Sequence, residues 1–166
     1  MTVVSNTSPL SNLSEIGHIE LLLEIYGPVT IPTAVANELA RADPAAVVIR
    51  EVPNLAWVQV RPVTNRSLVE HLHGDRQLHL GEAEAIALAV ELGAERLLID
   101  ERLGRREATR LGVPITGVLG ILVAAKASRL IPAVRPLMDE LIVQADFRVA
   151  PQLYAEILAM AEESEE

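Results

Sequence analysis

The chain has 166 residues, half of them hydrophobic but only 2% aromatic, with a formal net charge of −9 and no cysteine. That length suits one domain with one core, and the lack of cysteine excludes a disulfide framework or a thiolate metal site. The acidic balance, with Lys126 as the only lysine, argues against broad nonspecific nucleic-acid binding, which needs a basic footprint.

An apolar core without aromatics must be built from Leu, Ile, Val and Ala, a composition that favours helices on a parallel sheet. No basic-then-apolar leader and no run of about 18 apolar residues is present, so the expectation is a chain with no membrane partner, compatible with the cytoplasm. Along the sequence, "TVVS" predicts a short buried strand. "SPLSNLSEIG" predicts a helix with Pro9 in its first turn and Gly17 past its end. "HIELLLEIYG" is a second helix stopped by Gly27, "PVTIP" a strand, and "PTAVANELAR" a helix opened by Pro32 and Thr33. "AWVQVRPV" alternates as a strand does, and residues 61–80 show no clear period. "GEAEAIALAVELGA" is the strongest helix signal, stopped at Gly93. There follow a strand in "RLLID", an amphipathic helix in "ERLGRREATRLG", a short strand in "VPIT" and an apolar helix in "GVLGILVAAKASRL". "PAVRPLMDELIVQ" and "PQLYAEILAMAEE" supply two last helices, and "AEESEE" reads as a solvated acidic end. Strand and helix alternate, which means an α/β layered fold with a parallel sheet.

In such sheets ligands bind outside the carboxyl ends of the strands. The polar residues expected there are Asn6, Thr7 and Ser8 after the first strand, Glu38 on the helix after the second, Glu82 and Glu84 at the start of the strong helix, and Asp100 followed by Glu101. Each has a plain structural reading too. Asn6 and Asp100 are good helix caps, Glu38 an ordinary exposed glutamate, and the two glutamates suit a helix N-terminus. Glu82 and Glu84 are about 200° apart around a helix, so one of them is structural. Together, three carboxylates and an amide with no neighbouring base call for a divalent cation. An all-oxygen set selects Mg²⁺ or Mn²⁺ over Zn²⁺. Phosphate-loop, dinucleotide and nucleophile-elbow motifs are absent, and His71 and His73 read as surface residues. Arg102, Arg106 and Arg110 share one helix face, either a solvated face or a contact for phosphates.

The segments "VVSNTSPL", "VTIPTAVANEL", "LGEAEAIALAVELGAERLLIDERLGRR" and "ITGVLGILVAAKASRLI" resemble, in order, the PIN-domain ribonucleases, within them the branch related to VapC-type toxins. The resemblance implies a three-layer α/β/α fold with a parallel sheet of about five strands, a single PIN-like domain over residues 1–160 and an acidic tail over 161–166. It also implies a Mg²⁺- or Mn²⁺-dependent endoribonuclease, the toxin of a type II toxin–antitoxin pair, partnered by RNA, a small antitoxin and a second copy of itself. By position the family's four acids fall on Asn6, Glu38, Glu82 and Asp100 as metal ligands, with Glu38, Glu82 and Asp100 catalytic. Thr7 and Ser8 match small hydroxyl residues near the substrate, which Arg102 and Arg106 would also contact. The departure is Asn6, where the family usually has Asp. That leaves a rival reading, a weak or inactive module that acts by binding RNA or protein. The motifs do not separate RNA from DNA.

Overall fold

The computed structural model describes residues 1–164. Five parallel strands run in the order β3-β2-β1-β4-β5: β1 Val3–Ser5, β2 Val29–Pro32, β3 Val58–Arg61, β4 Arg96–Leu98 and β5 Ile115–Thr116. All of β1 and β2 is buried, which is why these strands read as continuous apolar runs rather than alternating ones. β3 lies at the sheet edge and buries only Val58.

Among the described residues ten α-helices flank the sheet: α1 Thr7–Glu15, α2 Glu20–Tyr26, α3 Thr33–Ala40, α4 Val47–Glu51, α5 Arg66–Glu70, α6 Leu80–Leu92, α7 Arg102–Arg110, α8 Val118–Ala127, α9 Arg135–Gln144 and α10 Pro151–Met160. α6 packs on β1, β2 and β4, with α3, α5 and α7 beside it. Residues Gly81 to Ala89 of α6 are all buried, so the helix is covered on every side, as its Ala- and Leu-rich sequence requires. α2 packs on β2 and against α8, which also meets α9 and α10. The result is the three-layer α/β/α arrangement expected. Gly93 stops α6 in a left-handed conformation, φ 59°, open to glycine at no steric cost. Among the described residues no helix is long and apolar enough to cross a membrane.

Two stretches differ from expectation. Residues 61–80 hold α5 and then a π-helical segment, His71–Asp75; a π turn has neither a helical nor a strand period, and the sequence pattern is lost there. Part of the acidic end is docked rather than solvated. Glu163 accepts hydrogen bonds from the backbone N–H groups of Val134 (2.6 Å) and Arg135 (3.1 Å) and pairs with Lys126 at 3.1 Å. Residues 165 and 166 of that expected tail lie outside the described residues.

The chain leaves β1 toward β2 and β3, then returns to place β4 on the other side of β1. That reversal puts a switch point between β1 and β4, where open α/β sheets form their crevice. The ladder there is continuous: Ser5 is opposite Leu98, and Asn6 N–H donates to Leu98 C=O at 2.9 Å. Asn6 therefore stands at the carboxyl edge of the sheet, at the mouth of the crevice.

Candidate metal and active site

A cavity of about 400 Å³ opens at that switch point, lined by Asn6, Thr7, Ser8, Glu38, Glu82 and Glu101, with His79 and Leu80 at the start of α6. Asn6 is 2% exposed. It holds the N-cap position of α1, yet its side chain makes no capping hydrogen bond. Instead its Nδ2 donates to Glu101 Oε2 at 2.9 Å, and its Oδ1 is buried with no partner. Ser8 donates to the other oxygen of Glu101, and Thr7 donates to Glu38. The polar residues that end β1 thus grip two carboxylates from distant parts of the chain.

Glu82 is buried. One of its oxygens accepts a 3.4 Å contact from His79 N–H, and the other has no partner. Burial pushes its pKa up, the charge of Glu101 adds to the rise, the His79 N–H opposes it, and Glu38 contributes a smaller increase. Glu84 points elsewhere. It accepts from Ala34 N–H at 2.9 Å in the first turn of α3 and pairs with Arg66 at 2.9 Å. The angular argument from the helix therefore holds, with Glu82 in the cavity and Glu84 tying α3 to α5.

Asp100 stands beside the cavity and not in its lining. The expected fourth acid does not line this cavity, and Glu101 does. The two adjacent carboxylates diverge, as neighbours on an extended chain do, but the one that turns in is Glu101. Asp100 turns toward the N-terminus of α8, where its Oδ1 accepts from Val118 N–H at 3.0 Å. Its Oδ2 is buried without a partner. Burial raises the Asp100 pKa from its ordinary 3.8 to about 6; the Val118 hydrogen bond opposes the rise, the Glu101 charge adds to it, and Arg105 opposes it. The folded value lies above the unfolded one, so the folded state binds this proton more tightly. The group's contribution to stability is whole below about pH 4 and is lost as pH rises to about 6, a change on the order of 3 kcal/mol. Asp100→Asn keeps an oxygen for Val118 and removes the titration. In chelator at about pH 8 the variant is expected to melt several degrees above wild type, and the two should converge near pH 4. Parallel melting profiles across that range would rule out the buried charge.

The arginines sort differently from their helical spacing. Arg102 and Arg106 are exposed on α7, the helix that starts beside Glu101, and neither lines the cavity. Arg110 is held by the buried Glu107 at 2.8 Å. Arg105 turns inward and donates to Ile99 C=O at 2.9 Å.

Sequence reasoning also passed over three glycines. A Cβ on Gly81 would stand 2.2 Å from Glu38 Oε1, one on Gly104 2.7 Å from Glu82 Oε2, and one on Gly117 2.6 Å from Asp100 Oδ1. Each lies against a carboxylate, and Gly104 also against the Ile99 side chain, 2.6 Å from where its Cβ would stand. Their only sequence signal is a glycine inside or just before a helical pattern, where it costs helix stability.

The two orphaned buried oxygens, Asn6 Oδ1 and Glu82 Oε2, belong to residues of one cavity, with the carboxylates of Glu38 and Glu101 beside them. Buried polar atoms almost always have partners, so these oxygens are open to a water, a ligand group or an ion. A donor set of one amide and three carboxylates fits a hard divalent cation. Among the described residues no three acid or imidazole groups are gathered into a ready-made cage; the hydroxyls of Thr7 and Ser8 hold Glu38 and Glu101.

An acidic, all-oxygen crevice at the switch point of an α/β/α sheet suits a hard divalent cation by the chemistry of its donors. A family model, DUF3368, described as a PIN domain, matches residues 2–163, and the chain belongs to that family. The PIN domain is a nuclease fold whose members generally depend on divalent metal ions. Neither the curated proteins nor the solved structures include a match to the chain.

Proposed function

We propose that this protein is a metal-dependent endoribonuclease, with Asn6 Oδ1, Glu38, Glu82 and Glu101 holding one or two Mg²⁺ or Mn²⁺ ions. The single observation that carries the reading is the pair of unpartnered buried oxygens, on Asn6 and Glu82, in the acidic crevice. A bound divalent ion lowers the pKa of a coordinated water and stabilises charge on the phosphate being cleaved.

The chain's own residues do the rest. Asn6 and Ser8 orient Glu101, one through each carboxylate oxygen, and Thr7 orients Glu38. Glu82 is fixed at the start of α6 with one oxygen free. Its pKa is raised first by burial and then by the charge of Glu101, and a cation beside it would oppose both. Thr7 and Ser8 also line the crevice where a phosphodiester would lie, while the exposed Arg102 and Arg106 on α7 supply charge for flanking phosphates. Asp100, expected as a ligand, lies outside this set.

The toxin role belongs to the same proposal. It rests on the likeness of "VVSNTSPL" and "LGEAEAIALAVELGAERLLIDERLGRR" to VapC-type proteins, and it brings a small antitoxin and a homodimer as partners. Single-stranded RNA incubated with Mn²⁺ should be cut to products with 5′-phosphate ends, and chelator should stop the cut. Light scattering at micromolar concentration should give twice the 18.0 kDa of the chain. Asn6 supports a second reading. A neutral amide replaces one charge of the pocket, and a pocket of weaker metal affinity makes a binding module. RNA that is bound but left intact by Mn²⁺-loaded protein would select it.

A further inference from the structure

Away from the metal site, two arginines converge on one buried carboxylate. Glu107 is buried on the inner side of α7. Its Oε2 lies 2.8 Å from Arg110 Nε, one turn farther along the same helix, and 3.9 Å from Arg76 Nε, just after the π-helical segment. The backbone around Arg76 is unusual. Its N–H closes the π turn on His71 C=O at 3.1 Å, and the next residue, Gln77, has φ 59°, a left-handed conformation that residues with a Cβ rarely adopt. The buried Leu72 and Leu78 anchor this segment, with Leu78 N–H donating to Leu72 C=O at 3.0 Å.

Two cations on one carboxylate leave one positive charge over. Both arginines meet Glu107 through Nε, and among the described residues neither has another hydrogen-bonding or ionic partner. A guanidinium carries five N–H donors in a planar fork, so the Nη groups of both remain open. Their side chains are 42% and 44% exposed. In a chain of net charge −9, this local excess of positive charge is complementary to an anion, and planar forks match the oxygens of a phosphate.

The pair also borders the acidic crevice. Gly104, one turn before Glu107 on the same face of α7, lies against Glu82, since a Cβ there would stand 2.7 Å from Glu82 Oε2. Glu107 is then ~4.5 Å farther along the helix axis, and Arg110 ~9 Å. Arg76 comes three residues before His79, which lines the crevice. Two separate segments thus lead from the crevice to the same carboxylate. We propose that Arg76 and Arg110, positioned by Glu107, hold one backbone phosphate of the substrate strand beyond the phosphate in the crevice. The proposal rests on the nuclease reading for the strand it names. The contact sets the register of the strand and adds affinity without reading sequence, because phosphate contacts carry no base information.

The test is the salt dependence of binding of a labelled single-stranded RNA 12-mer, followed by anisotropy in chelator so that nothing is cut. Removing either arginine leaves the other neutralised by Glu107. Arg76→Gln and Arg110→Gln should therefore each weaken binding about five- to tenfold at about 50 mM salt, with a slope of log affinity against log salt shallower by about 0.7, one phosphate on a single strand. Glu107→Gln keeps an acceptor for Arg110 and removes the negative charge, so it should tighten binding. Arg110→Lys keeps the charge and should retain most of the affinity, which separates loss of charge from loss of fold. Unchanged affinity and slope in Arg76→Gln and Arg110→Gln would overturn the proposal. So would weaker binding by a Glu107→Gln protein that melts with wild type, since the three residues would then be a structural clamp alone. Inorganic phosphate that raises the melting temperature of wild type but not of Arg76→Gln, with RNA affinity equal in the two, would make this a site for free phosphate and overturn it too. Poly-glutamate that binds wild type but not Arg76→Gln, again with equal RNA affinity, would overturn it in favour of an acidic peptide. Failure of the nuclease reading shows separately, as RNA bound by wild type and left uncut in Mn²⁺.

Discussion

Asn6→Asp is expected to melt well below wild type in chelator and to regain the loss in millimolar Mn²⁺. In the wild-type protein the Asn6 amide donates to Glu101 at 2.9 Å in a site where Asn6 is 2% exposed. Aspartate there replaces the donor with a second negative charge. The lost hydrogen bond to a charged group costs about 1.5–3 kcal/mol, and like charges a few ångströms apart add repulsion of similar size. A total on the order of 3 kcal/mol lowers the melting temperature of a 166-residue domain by roughly 6–12 °C. A divalent cation binds the folded form and restores stability by mass action. It also gains a fourth carboxylate, so metal should bind more tightly and cleavage should rise. Were Asn6 only a helix cap, Asp would serve equally well at that position. Equal Mn²⁺-induced shifts in wild type and variant would then remove Asn6 from the metal site.

The second large effect separates two neighbouring acids. Glu101→Gln should weaken Mn²⁺ binding by at least about 100-fold, because even residues that only orient ligands cost about 10- to 100-fold. Cleavage should fall with it. Asp100→Asn should leave Mn²⁺ affinity within about twofold of wild type, since Asp100 faces Val118 and Arg105. Calorimetric titration of Mn²⁺ into each variant reads the difference directly. If Asp100→Asn loses metal while Glu101→Gln keeps it, the assignment of the crevice acids is reversed. Gln at 101 still accepts from one hydroxyl or amide, so a large change in folding would also count against the charge argument.

The fold was legible because its signals are local. The buried runs "TVVS" and "PVTIP" are strands, and Gly17, Gly27 and Gly93 end the helices that they appear to end, each at positive φ. The position of the acidic crevice was legible as well, since strand ends can be counted from sequence. What the sequence hides is side-chain direction just past a strand. Asp100 and Glu101 are equally acidic and adjacent, and the choice between them depends on what stands opposite each. Asn6 and Ser8 come from nearly a hundred residues away to hold Glu101, while the N-terminus of α8 holds Asp100. No periodicity carries that. The π-helical turn at His71–Asp75 defeats pattern reading for a different reason, as it belongs to neither period. His79 was missed with it, though its N–H touches Glu82 and it lines the crevice.

Gly81, Gly104 and Gly117 change how tolerance to mutation distributes over this molecule. Alanine is the mildest replacement at most helical positions, and in α6 and α7 it is the best helix former available. At Gly81 and Gly104 that benefit is set against a methyl group placed where a carboxylate now rests. A library screened for thermal resistance would therefore tend to enrich alanine at Gly81, where the displaced group is the end of an exposed glutamate. The same library screened for turnover would discard it. Positions where the two selections disagree trace the outline of the working crevice without any ligand having been identified.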